Sequence, residues 1–239
     1  MKIDSDIVLF STPPLLHQLY RSGHVFIDGT FKFCRTFYLQ IYSLHVWENG
    51  IYLPCAFLLL LDKRQSTYER VLTVLHSECF EQQTAFKPEY IHLDLEVGMM
   101  NAFKTSFPSS TIKPCQYRIA QTRYRFINQV LLSLVYKSGV RGDHTAKWLK
   151  TCFVLTALDP DNFENAFHFT LIAEVPEIQS GDRFDQFLVC LHNNYRWKTS
   201  KFTPSLWASQ DTHLRRNNAY EACHSRFAKS FKSPHTNVF

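Results

Sequence analysis

Three acidic residues stand where their chemistry would matter. Asp28 interrupts Val25-Phe26-Ile27-Asp28-Gly29-Thr30-Phe31-Lys32-Phe33. Val, Ile and Phe favour a pleated, packed backbone and Asp does not. A lone carboxylate in such a run is costly unless its charge is compensated. Gly29 removes a side chain beside it and lets a ligand or another backbone approach. Asp94 ends a second apolar run, Pro88-Glu89-Tyr90-Ile91-His92-Leu93-Asp94, and Glu221 falls in the first turn of a helix opened by Asn217-Asn218. If the strands carrying Asp28 and Asp94 are neighbours, the two carboxylates repel, and a divalent cation relieves that repulsion. Hard oxygen ligands suit Mg²⁺ or Mn²⁺. Two such ions about 3.5–4 Å apart support phosphodiester chemistry. Each acid also has a purely structural reading. Asp28 could begin a turn with Gly29, Asp94 could cap a helix, and Glu221 could close a capping box with Asn218. No Ser-His-Asp order, phosphate-binding glycine loop or dinucleotide motif competes.

The elements that must position these acids are legible in outline. Val25–Phe33, 37–46 and Ile51–Leu61 read as three strands joined by short connections, hence an antiparallel meander. Ser66-Thr67-Tyr68-Glu69 reads as a capping box. After it, Tyr68, Val71, Leu72, Leu75 and Cys79 keep helical spacing. A short fourth strand ends at Asp94, and a helix follows from Leu95 and stops at Phe107-Pro108. Glu96 reads as a solvated helix residue that could also reach the metal edge. Thr111-Ile112 is a very short fifth strand. Cys115 to Tyr136 reads as one long helix with a buried stripe of Ile119, Phe126, Ile127, Val130, Leu131 and Leu134, leaving Arg118, Arg125 and Gln129 away from it. The order β-β-β-α-β-α-β-α points to a mixed five-stranded sheet covered by helices. Residues 1–24 read as a lead-in, 25–138 as the first part of the core, 139–205 as a helical insertion and 206–239 as the return to the core. Within the insertion, Asp161-Asn162-Phe163-Glu164 caps one helix, and Phe184, Phe187, Leu188 and Leu191 space another.

Composition narrows the setting. The chain has 239 residues, of which 45% are hydrophobic, enough for one sizeable core with an insertion. The seven cysteines form no CxxC pair, which argues for a reducing compartment and against structural zinc or a disulfide framework. Ile51 to Leu61, the most apolar run, is too short to span a bilayer, so no membrane partner is expected. The net charge of +5 hides a segregation. Residues 113–150 hold eight Lys/Arg against one acid, 195–239 hold eight against two, and 151–194 hold one against seven. Two basic blocks suit a polyanion, or are solvated helix faces.

These blocks together resemble the catalytic domain of Mutator-like element (MULE) transposases. The family's Asp-Gly-Thr-Phe is present as Asp28-Gly29-Thr30-Phe31. Its Asp-x-Glu after a short apolar strand is present as Asp94-Leu95-Glu96, with Phe107-Pro108 downstream. Its Asn-Asn-x-x-Glu-x-x-His is present as Asn217-Asn218-Ala219-Tyr220-Glu221-Ala222-Cys223-His224. The resemblance runs from about Phe10 to the C-terminus. It implies an RNase H-like fold and a DDE triad of Asp28, Asp94 and Glu221 holding two Mg²⁺ or Mn²⁺ ions. It also implies double-stranded DNA as partner, both transposon ends and target, and a nuclear site. Candidate phosphate contacts are Arg118, Arg123, Arg125, Arg215, Arg216 and His224; Trp207 could stack on a base or simply pack. A homo-oligomer is compatible with this reading. The sequence departs from the family where Cys-x-x-His becomes Cys115-Gln116-Tyr117-Arg118, and the family's upstream zinc-binding module is not seen; a fragment or a non-catalytic descendant is the alternative expectation.

Overall fold

A computed structural model describes residues 2–4, 7–30, 38–138, 143–176, 182–196 and 202–208. These fall into two compact units, one running to Lys113 and one starting at Pro114.

The first unit is built on a sheet in the order β1-β2-β5-β4-β3-β6-β7. Its strands are β1 (Lys2–Asp4), β2 (Ile7–Phe10), β3 (His24–Thr30), β4 (Gln40–Glu48), β5 (Ile51–Leu60), β6 (Tyr90–Leu93) and β7 (Thr111–Pro114). The meander β3-β4-β5 is antiparallel, as its short connections require, whereas β3 and β6 pair in parallel. Seven strands stand where the sequence suggested five. The two additional strands come from the lead-in, where Ile7-Val8-Leu9-Phe10 pairs with Leu60 back to Phe57. Pro13-Pro14 does not break structure there but opens helix α1 (Pro13–Arg21), because a first-turn proline forfeits no intrahelical hydrogen bond. Pro54 is tolerated in β5 because the β4–β5 register slips beside its partner His45, and β2 reaches β5 only from Phe57 onward.

One face of this sheet is covered by α1, α2 (Gln65–Glu81) and α3 (Val97–Ser106). Residues of period two line that face: Val25 and Ile27 from β3, and Tyr42, Leu44 and Val46 from β4, all buried. The stripe read from the sequence in α2, Tyr68, Val71, Leu72, Leu75 and Cys79, is buried against them. The Tyr20 hydroxyl ties α1 to α2 by donating to the Leu75 carbonyl at 3.3 Å. The expected capping box at Ser66 is absent, since α2 begins at Gln65 and its N-cap Arg64 makes no side-chain cap. Asp62 acts in its place. It accepts from the Arg64 amide at 3.0 Å and from the Thr67 hydroxyl at 2.5 Å. Thr67 foremost, then the Arg64 amide, holds the Asp62 carboxyl below the usual range. Asp94 is not a cap either, because the N-cap of α3 is Glu96.

The second unit is helical among its described residues. It comprises α4 (Gln116–Gln129), α5 (Ser133–Lys137), α6 (His144–Val154), a short α7 (Phe163–Ala166) that widens into a π-turn over Phe167–Ile172, α8 (Arg183–Leu191) and α9 (Pro204–Trp207). The single long helix expected from Cys115 to Tyr136 is broken at Leu131, which adopts φ +60°. That left-handed residue turns the chain out of register with its stripe, so Leu131 and Leu134 are 66% and 81% exposed instead of buried. Asp143 caps α6 through the Thr145 and Ala146 amides. Asp159, not Asp161, caps the turn before α7. Phe184 and Phe187 pack edge-on against Trp148, whose indole N–H donates to the Leu171 carbonyl at 2.9 Å.

Two outcomes are expected for the first unit. A Cβ at Gly98 would meet the Lys63 carbonyl oxygen at 3.0 Å and the Gln65 amide nitrogen at 3.2 Å, both backbone atoms that cannot swing away. Gly98→Ala should therefore push α3 off the start of α2 and cost about 1–3 kcal/mol in urea unfolding. Asp62 has a depressed folded-state pKa, so its contribution is present above the unfolded carboxylate value and fades as pH falls through that range. The gap in urea midpoint between the parent and Asp62→Ala should accordingly narrow between about pH 5 and pH 3.

Candidate functional site

Asp28 sits in β3 opposite Ser43 of β4, and is 7% exposed. The Ser43 hydroxyl donates to the Asp28 backbone carbonyl at 3.4 Å. In the parallel pair, His24 lies level with Tyr90, Val25 with Ile91 and Phe26 with His92. The same offset carried two residues further sets Asp28 level with Asp94, immediately past the end of β6 at Leu93. Side chains two residues apart share a face. Both aspartates are thus placed on the face of Phe26 and His92, whose rings stack at 4.1 Å and 13°. His92 is also hydrogen-bonded to His24, with Nδ1 and Nε2 at 3.2 Å, and His24 stacks on Tyr90 at 4.6 Å. This ladder of rings pins the register that brings the aspartates level. Adjacent strands are about 4.8 Å apart, the separation at which two carboxylates can share a cation.

A polar cluster gathers at the same end of the strands, on the helix-covered face. Gln40 of β4 is fully buried and donates through Nε2 to the Tyr68 hydroxyl at 2.8 Å. Tyr68 donates in turn to Glu96 Oε1, and Lys63 Nζ lies 3.3 Å from Glu96 Oε2. Glu96 is therefore not the solvated helix residue the sequence suggested; it is the end of a chain that crosses from β4 through α2 to the Asp94 turn. Tyr42 lies beside Tyr68, with ring centroids 5.5 Å apart, and its buried hydroxyl has no hydrogen-bond partner. Burial above all, then Tyr68, then the charges of Glu96, Asp94 and Asp28, push the Tyr42 phenol well above its ordinary value. One phenol thus feels all three carboxylates.

The donor types suit a hard divalent ion: one carboxylate in β3, one immediately past the end of the parallel strand β6, and the Tyr42 hydroxyl within reach of their field. Among the described residues no group of three or more His, Cys, Asp or Glu is arranged to hold a metal. The expected third ligand, Glu221, lies outside the described residues, as do Arg215, Arg216 and His224. Arg118 is in the first turn of α4. Arg125 is exposed and bonds Gln121 at 3.1 Å. Arg123 corrects the expectation of a phosphate contact, because it is 2% exposed. Its guanidinium donates to the Cys152 carbonyl at 2.6 Å and lies 4.9 Å over the Trp207 ring. Trp207 is a packing residue, its indole N–H on the Phe202 carbonyl at 3.0 Å and its ring edge-on to Phe163. Tyr42, Tyr68, Gln40 and Lys63 were not singled out in the sequence. The one available signal was Gln40, an amide opening an otherwise apolar strand.

Residues 24–122 match the family model of the MULE transposase domain. The match starts at the first residue of β3, takes in Asp28 and Asp94, and ends within α4. No curated protein matches the chain. No described helix is long and apolar enough to cross a membrane.

The buried arginine gives a stability test for the second unit. Arg123→Ala removes the stem packing, the stack on Trp207 and the bond to Cys152, and should cost about 3 kcal/mol in chemical denaturation. Arg125→Ala should change the midpoint by less than about 0.5 kcal/mol.

Proposed function

We propose that the MULE transposase domain of residues 24–122 is the catalytic core of a DNA transposase with an RNase H-like fold. The observation that supports this reading is the parallel pairing of β3, which carries Asp28, with β6, which Asp94 follows directly. Asp28 and Asp94 would hold Mg²⁺ or Mn²⁺, with Glu221 completing the set. Bound there, the ions would activate the attacking oxygen and stabilise the leaving one. The chain's own residues prepare the ground. The two aspartates bring negative charge that only a cation offsets. Tyr42 stays protonated and adds no further charge. Lys63 balances Glu96, so that the field at the strand ends is dominated by the aspartate pair. In the reaction, a water oxygen bonds to phosphorus while the bond to the 3′ oxygen breaks. That oxygen leaves as a 3′-hydroxyl, which would then attack a phosphodiester of target DNA, its oxygen bonding to phosphorus while the target's own bond from phosphorus to its 3′ oxygen breaks and that oxygen leaves as a new 3′-hydroxyl. Arg118, Arg125, Arg215, Arg216 and His224 are proposed to hold phosphates, and the chromosomal substrate places the protein in the nucleus.

A second reading rests on Cys115-Gln116-Tyr117-Arg118, where arginine stands in the family's histidine position. A module that binds DNA without cutting it would keep this fold and lose the chemistry. Incubating the purified chain with Mn²⁺ and DNA carrying element ends separates the two. The catalytic reading expects nicks bearing 3′-hydroxyls, reduced at least about a thousandfold in Asp28→Asn. DNA binding without nicks, or nicks unchanged in Asp28→Asn, would leave the non-catalytic reading.

A further inference from the structure

We infer that the cavity between the ends of α2 and α3 receives the Phe80 ring of a second copy of this chain, so that two copies pair about a two-fold axis.

The cavity measures about 340 Å³ and belongs to the first unit. Its walls are rings held against one another. The His76 ring stacks on Phe107 at 5.4 Å, and Phe86 stands edge-on to Phe107 at 5.2 Å. Phe86 and Phe107 are both buried. The loop that carries Phe86 is fastened to α2, where the Thr84 amide donates to the Cys79 carbonyl at 3.0 Å. Partial burial holds His76 below its ordinary value, so its ring is neutral near pH 7 and adds no charge to the wall. A cavity of about 150 Å³ already accommodates a benzene ring, so this one has room for a phenyl group from outside.

Phe80 stands at the mouth of the cavity, in the last turn of α2. It is 85% exposed. An aromatic ring left in water beside an aromatic-walled hollow is an unmade contact: the ring gains from burial, and the wall gains from having atoms to touch. Phe80 already forms part of the rim, so it does not fill the cavity of its own copy. Two copies make the contact reciprocally, each lending its ring to the other, which is the geometry of a two-fold interface.

Charge favours a second copy over an unrelated partner. Glu81 follows Phe80 at the end of α2, and Lys87 lies on the cavity's rim; both are exposed. A partner segment of a single sign would meet attraction at one and repulsion at the other. A two-fold copy brings Lys87 towards Glu81 and Glu81 towards Lys87. From Tyr68 to Phe80 the helix rises about 18 Å, so the contact lies away from the Tyr68–Glu96 end, and the pairing does not depend on the metal-binding reading.

Sedimentation equilibrium of the whole chain, without metal or DNA, tests the pairing. The parent should form a concentration-dependent dimer. Phe80→Ala should weaken it at least about tenfold, because the ring is lost from both halves of the interface. At dilutions where both are monomeric, Phe80→Ala and the parent should unfold at the same temperature, since so exposed a ring contributes little to the fold. Glu81→Lys and Lys87→Glu should each weaken the dimer, and the double variant should restore it. A parent that stays monomeric at every concentration overturns the pairing and leaves the cavity to another occupant. A dimer of parent strength in Phe80→Ala overturns it as well, and so does a double variant no tighter than either single one.

Discussion

The parallel pairing of β3 with β6 is the constraint on which the rest depends. A parallel pair cannot be made by a hairpin; it needs a crossover. Here that crossover runs through β4, β5 and α2 before the chain returns at Tyr90. Its register is fixed twice, by ladder bonds from His24 to Phe26 and by the stacking of Phe26 on His92. A slip of one residue would turn Asp94 to the helix-covered face, among Ile91 and Leu93, which are fully buried. The stack and the apolar face therefore enforce the same alignment, and the aspartate pair is its consequence.

Around that pair the structure sorts charge by face. On the helix side, Gln40, Tyr68, Glu96 and Lys63 form a chain in which each donor meets an acceptor. The Gln40 side-chain oxygen stays buried without a partner among the described residues, while the salt bridge to Lys63 supplies the countercharge Glu96 needs. Asp28 and Asp94 belong to the other face.

How much of this was legible in the sequence depends on the range of the interaction. Asp28 stood out because an acid in a Val-Phe-Ile run violates a local preference, and the α2 stripe because period and spacing are local too. The lead-in strands were hidden because Ile7–Phe10 is four residues long and joins the rest of the sheet through β5, about fifty residues on. The break at Leu131 was hidden because leucine has no preference for the φ of +60° it adopts. Glu96 read as solvated because its partners, Lys63 and Tyr68, are distant in sequence. The capping of α2 was misplaced by a motif whose letters fit at Ser66, while Asp62, outside the motif, made the bonds.

Arg123 shows why a charge count is a poor map of a polyanion-binding surface. In the α4 segment it is one cation among Arg118, Arg123 and Arg125, and composition weights them equally. The fold does not. Arg123 spends its charge inside the second unit, where the Cys152 carbonyl accepts its hydrogen bond and the Trp207 face its cation. The buried Cys152 thiol is pushed up to about 12 chiefly by loss of solvent, with Arg123 pulling the other way, so the thiol stays neutral beside the guanidinium. A cation so placed organises packing and contributes nothing to a surface that could meet phosphate. The basic character of the 113–150 block is therefore weaker at the surface than in the sequence: Arg125 keeps its side chain exposed while Arg123 does not.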